Sequence, residues 1–428
     1  MRLGSKAPLA RPKDAGKRER VDGNLAGLGI GSLRRIYLPV LLENVDRSQA
    51  GGFVVLFTLE STCRALLMTI VPLQAYTLLQ SAQLVSVTYL AVSLTGLVAS
   101  LGLPIVMHLI PRRYMMTIGA LTYMASASFL ATGTLPGLIT GLALQISATA
   151  ILEVTINLYL LDHIPRKELN TFEPRRLLWS GLAFAAGPWL GVYLHENVAN
   201  GLTYIVVTLT AALMLIAFWK LRLGDSVSIQ PAKGPPPNPI KYIPRFINQK
   251  RLVLAWTLAV GRNGWWLMFF VYTPIFVTQS GYSPELGGAL VSLGVLPMIF
   301  VRQWGKIGQK IGLRKLLMGA YAATGVISIV AGLSGEWAIA TMFFIVFGAF
   351  LATMVDGAGN VPFLRAVHPH ERADMTSVYT TYRHGTSLFT PGLFAAVLAV
   401  LPLNFVFISG GLATIGMAWL SGFLPKRL

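Results

Sequence analysis

Gly234-Pro235-Pro236-Pro237-Asn238-Pro239 lies just past the middle of the 428-residue chain. Four prolines in six residues remove the backbone donors a helix needs and favour an extended, water-exposed connection. On each side of this stretch stand six apolar segments long enough to cross a membrane, since about 20 residues at 1.5 Å each span a hydrocarbon core of about 30 Å. They lie near 53–78, 83–110, 113–133, 137–161, 176–195 and 201–222, then near 251–278, 285–304, 314–334, 337–361, 374–400 and 403–424. The expected architecture is an all-α polytopic membrane protein of twelve transmembrane helices in two six-helix halves.

Composition agrees with that reading. Hydrophobic residues make up 54% of the chain and charged ones 12%, and the mean hydropathy is +0.62, which leaves too little polar surface for a soluble fold of this length. The net charge of +18 does not point to nucleic acid, because the basic residues punctuate short loops rather than gather on one surface. Of the 35 basic residues, 32 fall in segments that alternate with outward loops lacking Lys and Arg, and three, Arg64, Arg262 and Arg383, fall inside apolar segments. Positive loops face the cytoplasm, so both termini are expected there. The organisation that follows is a basic N-terminal tail with an interfacial stretch at Ile36–Leu42 (1–52), a first half (53–222), a cytoplasmic Pro-rich linker (223–250), a second half (251–424) and a short tail (425–428). The opening residues are basic and polar and do not resemble a signal peptide. The single cysteine, Cys63, precludes an intramolecular disulfide and reads as a packing residue.

Two sets of six suggest an internal repeat. Ser81-Ala82-Gln83-Leu84 matches Ser283-Pro284-Glu285-Leu286 at an offset of 202, Pro104 with Arg113 matches Gly305 with Arg314 at 201, Pro165 matches Pro369 at 204, and Pro188 matches Pro391 at 203.

The run Gly305, Gln309, Gly312, Arg314, Lys315 resembles the Gly-x-x-x-Asp-x-x-Gly-Arg-Lys signature of the major facilitator superfamily, which that family carries between spans 2 and 3 and again between 8 and 9. The first-half copy is Pro104, His108, Pro111, Arg112, Arg113. The resemblance implies a latch that holds the inner mouth shut in one state and breaks in the other. Both copies lack the family's Asp, so the gating residues His108, Arg112, Arg113, Gly305, Gln309, Gly312 and Arg314 would act through neutral hydrogen bonds or, at His108, respond to pH. Without such a role the basic pairs would serve topology alone. Gly181, Gly187, Pro188 and Gly191 are similar to the Gly-Pro motif that many antiporters of the superfamily carry in span 5, and that spacing equally suits plain helix packing. The stretch Leu161 to Lys167, Glu173-Pro174 and Gly187 to Gly191 resembles a proteobacterial branch that includes magnetosome-membrane facilitators linked to iron supply. That likeness implies a bacterial inner membrane, or an internal membrane derived from it.

Charge inside lipid is costly and marks either pairing or function. Glu60 and Arg64 in span 1, Glu153 in span 4, Arg262 in span 7, Asp356 in span 10 and Arg383 in span 11 are the six candidates. In the superfamily spans 1, 4, 7 and 10 line the central cavity, so the expectation is one charged cluster on its floor that binds substrate and couples protons. Glu60 and Glu153 are the better relay candidates, and the alternative is three ion pairs that only hold helices together. Arg presents a bidentate fork suited to carboxylate or phosphate, so a small anionic solute is expected. Iron or an iron chelate is the alternative cargo. Trp265, Trp266, Phe269, Phe270 and Tyr272 could wall the cavity, but lipid-facing or packing roles are favoured. His368-Pro369-His370-Glu371 lacks the helical spacing of a zinc hydrolase, so no enzyme is expected. The sequence calls for a small-molecule or ion substrate, a proton and membrane lipid as partners, a monomer, and no cofactor, nucleic acid or metal site. A non-transporting sensor or assembly protein is the remaining alternative.

Overall fold

In lipid the backbone must satisfy its own hydrogen bonds, and every predicted span does so as helix. The computed structural model describes residues 50–163, 169–223, 239–368 and 371–425. The N-terminal tail with Ile36–Leu42, Pro165 to Lys167, the Pro-rich stretch up to Asn238, Pro369-His370 and the final Lys426-Arg427 lie outside the described residues, as do the side chains of Pro104, His108 and Arg112.

The first half comprises α1 (Ala50–Leu79), α2 (Ala82–Leu109), α3 (Arg112–Ala131), α4 (Leu135–His163), α5 (Leu169–Tyr193), which continues into a π-helical turn at Leu194–Val198, and α6 (Leu202–Leu223). A short helix, α7 (Pro239–Ile247), follows within the segment predicted to be only a polar linker. The second half comprises α8 (Lys250–Gln279), α9 (Pro284–Val295), α10 (Val301–Ile311), α11 (Leu313–Leu333), α12 (Ala338–Ala358), α13 (Val361–Ala366), α14 (Arg372–Tyr379), α15 (Tyr382–Leu398) and α16 (Asn404–Ser421). Among the described residues nine helices are long and apolar enough to cross a membrane. The three other predicted spans are α2, which supplies a shorter apolar stretch at Ala82–Val98, α8, and the divided pair α14–α15.

Spans 8, 10 and 11 are jointed where continuous helices were expected, and each joint has a local cause. Pro297 lacks the amide that an α-helix needs, and Leu296–Phe300 narrows to a 3-10 turn between α9 and α10. Gly359, at φ +51°, ends α12 before α13. Between α14 and α15 the hydroxyls of Thr380 and Thr381 donate to the carbonyls of Ser377 (3.1 Å) and Val378 (2.7 Å), competing with the helix ladder. The joints of spans 10 and 11 lie toward the side of the basic loops, and that of span 8 lies near its middle.

The two halves repeat one packing scheme. α1 packs on α4, α5 and α6 as α8 packs on α12, α15 and α16, while α3 packs on α4 and α6 as α11 packs on α12 and α16. Between halves, α2 meets α15 and α5 meets α9, which are one contact under exchange of the halves. Pro72 and Pro274 occupy equivalent interior positions of α1 and α8, 202 residues apart. Where helices cross closely, glycine is the reason: a Cβ on Gly191 of α5 would sit 2.2 Å from the carbonyl oxygen of Leu66, and one on Gly187 would sit 2.4 Å from the Ala65 Cβ. Gly181, the third glycine of that motif, has no neighbour within 4 Å.

Candidate functional site

Helix lengths place the six intramembrane charges at nearly one depth. Glu60 and Arg64 are ten and fourteen residues from the start of α1, Arg262 is twelve from the start of α8, and Arg383 is eleven from the start of α14. Glu153 is ten before the end of α4, and Asp356 is ten before the end of α13. At 1.5 Å per residue that is about 15–21 Å from the inner ends, close to the middle of a bilayer.

At that level they form three ion pairs in two separate groups, not the single cluster expected. In the first group Arg64 Nε lies 3.0 Å from Glu60 Oε1, one helical turn along α1. Glu60 is buried to 2% exposure, and the Arg64 guanidinium sits 5.4 Å from the centroid of Phe184 on α5. The Arg383 guanidinium on α15 donates to the Glu153 carboxylate on α4, so this pair bridges the halves. The side chains of Arg64, Arg383 and Glu153 remain 32%, 52% and 27% exposed, so the group is not sealed within the core. The Glu153 carboxylate is also within electrostatic reach of Arg64 and Arg176.

Arg176 was counted among the loop charges. Helix α5 begins at Leu169, not near residue 176, which carries Arg176 seven residues up the helix. There its guanidinium lies 4.5 Å from the Phe57 ring centroid, in reach of Glu60 and Glu153. A helix-start signal upstream of Leu169 would have revealed this, but residues 164–168 read as a Pro-containing loop.

The second group belongs to the C-terminal half alone. Arg262 Nε lies 3.6 Å from Asp356 Oδ1, and Arg262 Nη2 lies 3.4 Å from the Asn360 amide oxygen, which also accepts from the Tyr379 hydroxyl at 3.2 Å. Trp266 Nε1 donates to Asp356 Oδ2 at 2.8 Å. Arg262 and Tyr379 border a small pocket with Leu258, Tyr321 and Gly359. Arg262 stands 202 residues from Glu60, as the repeat requires, yet its charged neighbour is Asp356 on its own half. Asn360 and Tyr379 carried no sequence signal, being polar residues at joints invisible before the helix breaks were seen.

The span 7 aromatics are core. Trp265, Trp266, Phe269 and Tyr272 are 0–6% exposed, with Trp265 stacked on Phe269 (5.6 Å) and Trp266 on Phe270 (5.4 Å). They are therefore packing rather than lipid-facing side chains, and Trp266 alone touches a charged candidate.

Of the residues expected to form the latch, those described do not join the halves in this conformation. Gly305 packs against α12, where its Cβ would meet the Gly357 carbonyl oxygen at 3.3 Å. Gly312, at φ +93°, makes the turn from α10 into α11, while Gln309 is exposed. Among the described residues, no hydrogen bond or ion pair joins Gln309, Arg113 or Arg314 to the opposite half; the guanidinium of Arg113 instead lies 4.8 Å from the ring centroid of its neighbour Tyr114. Polar contacts between the halves sit instead at Glu153–Arg383 and toward the outer ends. Ser86 and Tyr272 share a hydrogen bond of 2.7 Å, Trp189 N donates to Ser292 Oγ at 3.0 Å, and Asn197 Nδ2 donates to Glu285.

No curated protein matches the chain. By fold it is similar to a POT family transporter solved with 5-aminolevulinic acid (TM-score 0.70, 12% identity, 86% of this chain and 94% of that one). A D-xylose-proton symporter aligns at TM-score 0.65 and 11% identity over 88% and 97% of the two chains, and the nucleoside transporter NupG at 0.65 and 11% over 87% and 98%. At such identities the likeness speaks for the fold alone. The model of the Major Facilitator Superfamily matches residues 53–391. With that match over most of its length, on a doubled six-helix frame with charges at mid-depth, the chain belongs to the Major Facilitator Superfamily and is a multi-pass membrane transporter rather than an enzyme.

Proposed function

We propose that the chain carries a small anionic solute across a bacterial inner membrane by alternating access, driven by protons, with both termini in the cytoplasm. The observation that carries this reading is the Glu153–Arg383 pair at mid-depth between the halves, beside Glu60 and Arg64. Rocking of the halves would make and break that pair, and an incoming carboxylate or phosphate would find the Arg64 and Arg383 guanidiniums partly open to water. Burial and a neighbouring Arg act in opposite directions on a carboxyl group, so Glu60 and Glu153 are suited to take up and release a coupling proton. The outer-end contacts between halves and the exposure of Arg383 favour an inward-facing state.

Iron finds less support. Among the described residues no group of three His, Cys, Asp or Glu side chains is placed to hold a metal ion, and the nearby guanidiniums would repel a cation. The test is uptake into proteoliposomes of organic anions, phosphates and Fe(II), with and without a pH gradient, repeated with Glu60→Gln and Arg64→Ala. Anion flux that depends on the gradient and is lost in both variants is expected. Normal flux in both variants would remove Glu60 and Arg64 from the site, and no flux of any solute would favour a sensor or assembly role.

A further inference from the structure

Helix α7 has two faces and lies directly before a membrane-crossing helix. Phe246 on one face is buried against Leu252 and Ala255 of α8, Phe363 of α13 and Met375 of α14. On the adjoining flank Ile243 and Ile247, one turn apart, are 37% and 60% exposed. Ile247 is only three residues from Lys250, where α8 begins. At no more than about 3.6 Å per residue, the exposed isoleucines stay within roughly 11–25 Å of the inner end of that span. Two exposed isoleucines on a nine-residue helix are a liability in water and an asset at the boundary of headgroups and acyl chains.

The charge of the sequence segment fits the same reading. From Lys220 to Arg251 the sequence carries seven basic residues and a single acid, Asp225. Such a segment next to a span is drawn to anionic headgroups.

The same helix is fastened to span 11. Arg245 donates to Oε1 of Glu371, and Gln249 Nε2 donates to Oε2 at 3.0 Å, at the start of α14. Glu371 is 7% exposed while the Arg245 side chain is 60% exposed, so the clasp has a buried carboxylate and an open guanidinium side. The sequence had offered Glu371 only as part of a weak catalytic motif.

We propose that α7 is an interfacial helix that seats Ile243 and Ile247 in the anionic inner leaflet, and that the Arg245–Glu371–Gln249 clasp passes this anchoring to α14, the inner segment of span 11. Headgroups restrain α7, α7 restrains α14 through Glu371, and α14 leads across the Thr380–Thr381 joint into α15 with Arg383. The inference rests on the membrane-spanning fold and is independent of what the protein transports.

Cysteine variants Ile243→Cys and Ile247→Cys are each labelled with an environment-sensitive NBD dye; the native Cys63 is buried and leaves the label specific. The full chain is placed in nanodiscs of phosphatidylcholine, with or without phosphatidylglycerol. The expected result is blue-shifted emission quenched more by headgroup-level nitroxide lipids than by nitroxides deep in the acyl chains, and more strongly when phosphatidylglycerol is present. Water-like emission without quenching overturns the docking, and equal quenching in both lipid mixtures overturns its anionic preference. In a second measurement, phosphatidylglycerol raises the melting temperature of the unlabelled protein. Glu371→Gln abolishes that rise while leaving the depth of a label at residue 247 unchanged. A full rise in Glu371→Gln overturns transmission through the clasp. Ile243→Asn, at an exposed position where folding is not at stake, also loses the rise, and a full rise there counts against the docking.

Discussion

Replacing Arg383 with Gln, or Glu153 with Gln, should shift the balance between conformations without unfolding either half, because the pair joins the two halves and both side chains lie outside the hydrophobic core. Two unit charges about 4 Å apart attract by about 4 kcal/mol at an effective dielectric of about 20, and by only about 1 kcal/mol in water. With side chains 52% and 27% exposed, the pair falls between those limits, and fixing two side chains offsets part of the gain. A net of about 1–2 kcal/mol remains, which corresponds to a change of about 5- to 30-fold in a two-state equilibrium. The readout is the distance distribution between spin labels on cysteines placed at Tyr114 in the first half and Ile311 in the second, both exposed and at inner ends. Each single variant should deplete the conformation described above by about that factor. The double variant Glu153→Gln/Arg383→Gln should deplete it little further, since the second change removes a partner already lost. The charge-reversed pair Glu153→Arg/Arg383→Glu should restore much of the original distribution. Unaltered populations, or single effects that simply add, would show that the bridge does not hold the halves together.

Three further outcomes follow from close contacts and backbone geometry. Gly191→Ala forces a methyl to within 2.2 Å of the Leu66 carbonyl oxygen, so α1 and α5 must part, and thermal melting in detergent should show a loss of about 1–3 kcal/mol, whereas Gly181→Ala, facing open space, should be neutral or better. Gly312→Ala at φ +93° should cost about 1–3 kcal/mol by the same measurement, because the turn between α10 and α11 demands a backbone that alanine rarely adopts. Trp266→Phe keeps the stack on Phe270 but removes the 2.8 Å hydrogen bond to Asp356; it should lower stability by about 1–3 kcal/mol, and a melting curve unchanged from wild type would mean that Asp356 finds another donor.

Span positions were readable from the sequence because lipid imposes a length and an apolar composition on each crossing, and the helices begin and end within a few residues of those bounds. Two ends departed furthest. Span 5 starts early and span 8 runs on to Ile311, since Arg176 and the basic α10 helix are polar enough to look like loop. The helix joints were illegible for a different reason. A proline in a span can bend a helix or pass through one: Pro72 and Pro274 sit inside continuous helices, while Pro297 marks a 3-10 turn. What separates these outcomes is the surrounding tertiary packing, which local sequence does not encode. The same limit governs the charges. Their types and depth followed from the cost of charge in lipid, but partner choice depends on the rotation of each helix about its axis. A turn of 100° per residue moves a guanidinium from one neighbour to another, so an offset of 202 residues could place Arg262 opposite Glu60 by symmetry while leaving its fork aimed at Asp356. If the halves rock as proposed, the Glu153–Arg383 pair is the one among the described ion pairs that would be stretched, whereas Arg262–Asp356 would travel within one half. On that proposal the first would report conformation and the second would remain intact through the cycle, and a coupling proton would have its strongest effect at the carboxylate whose partner moves away.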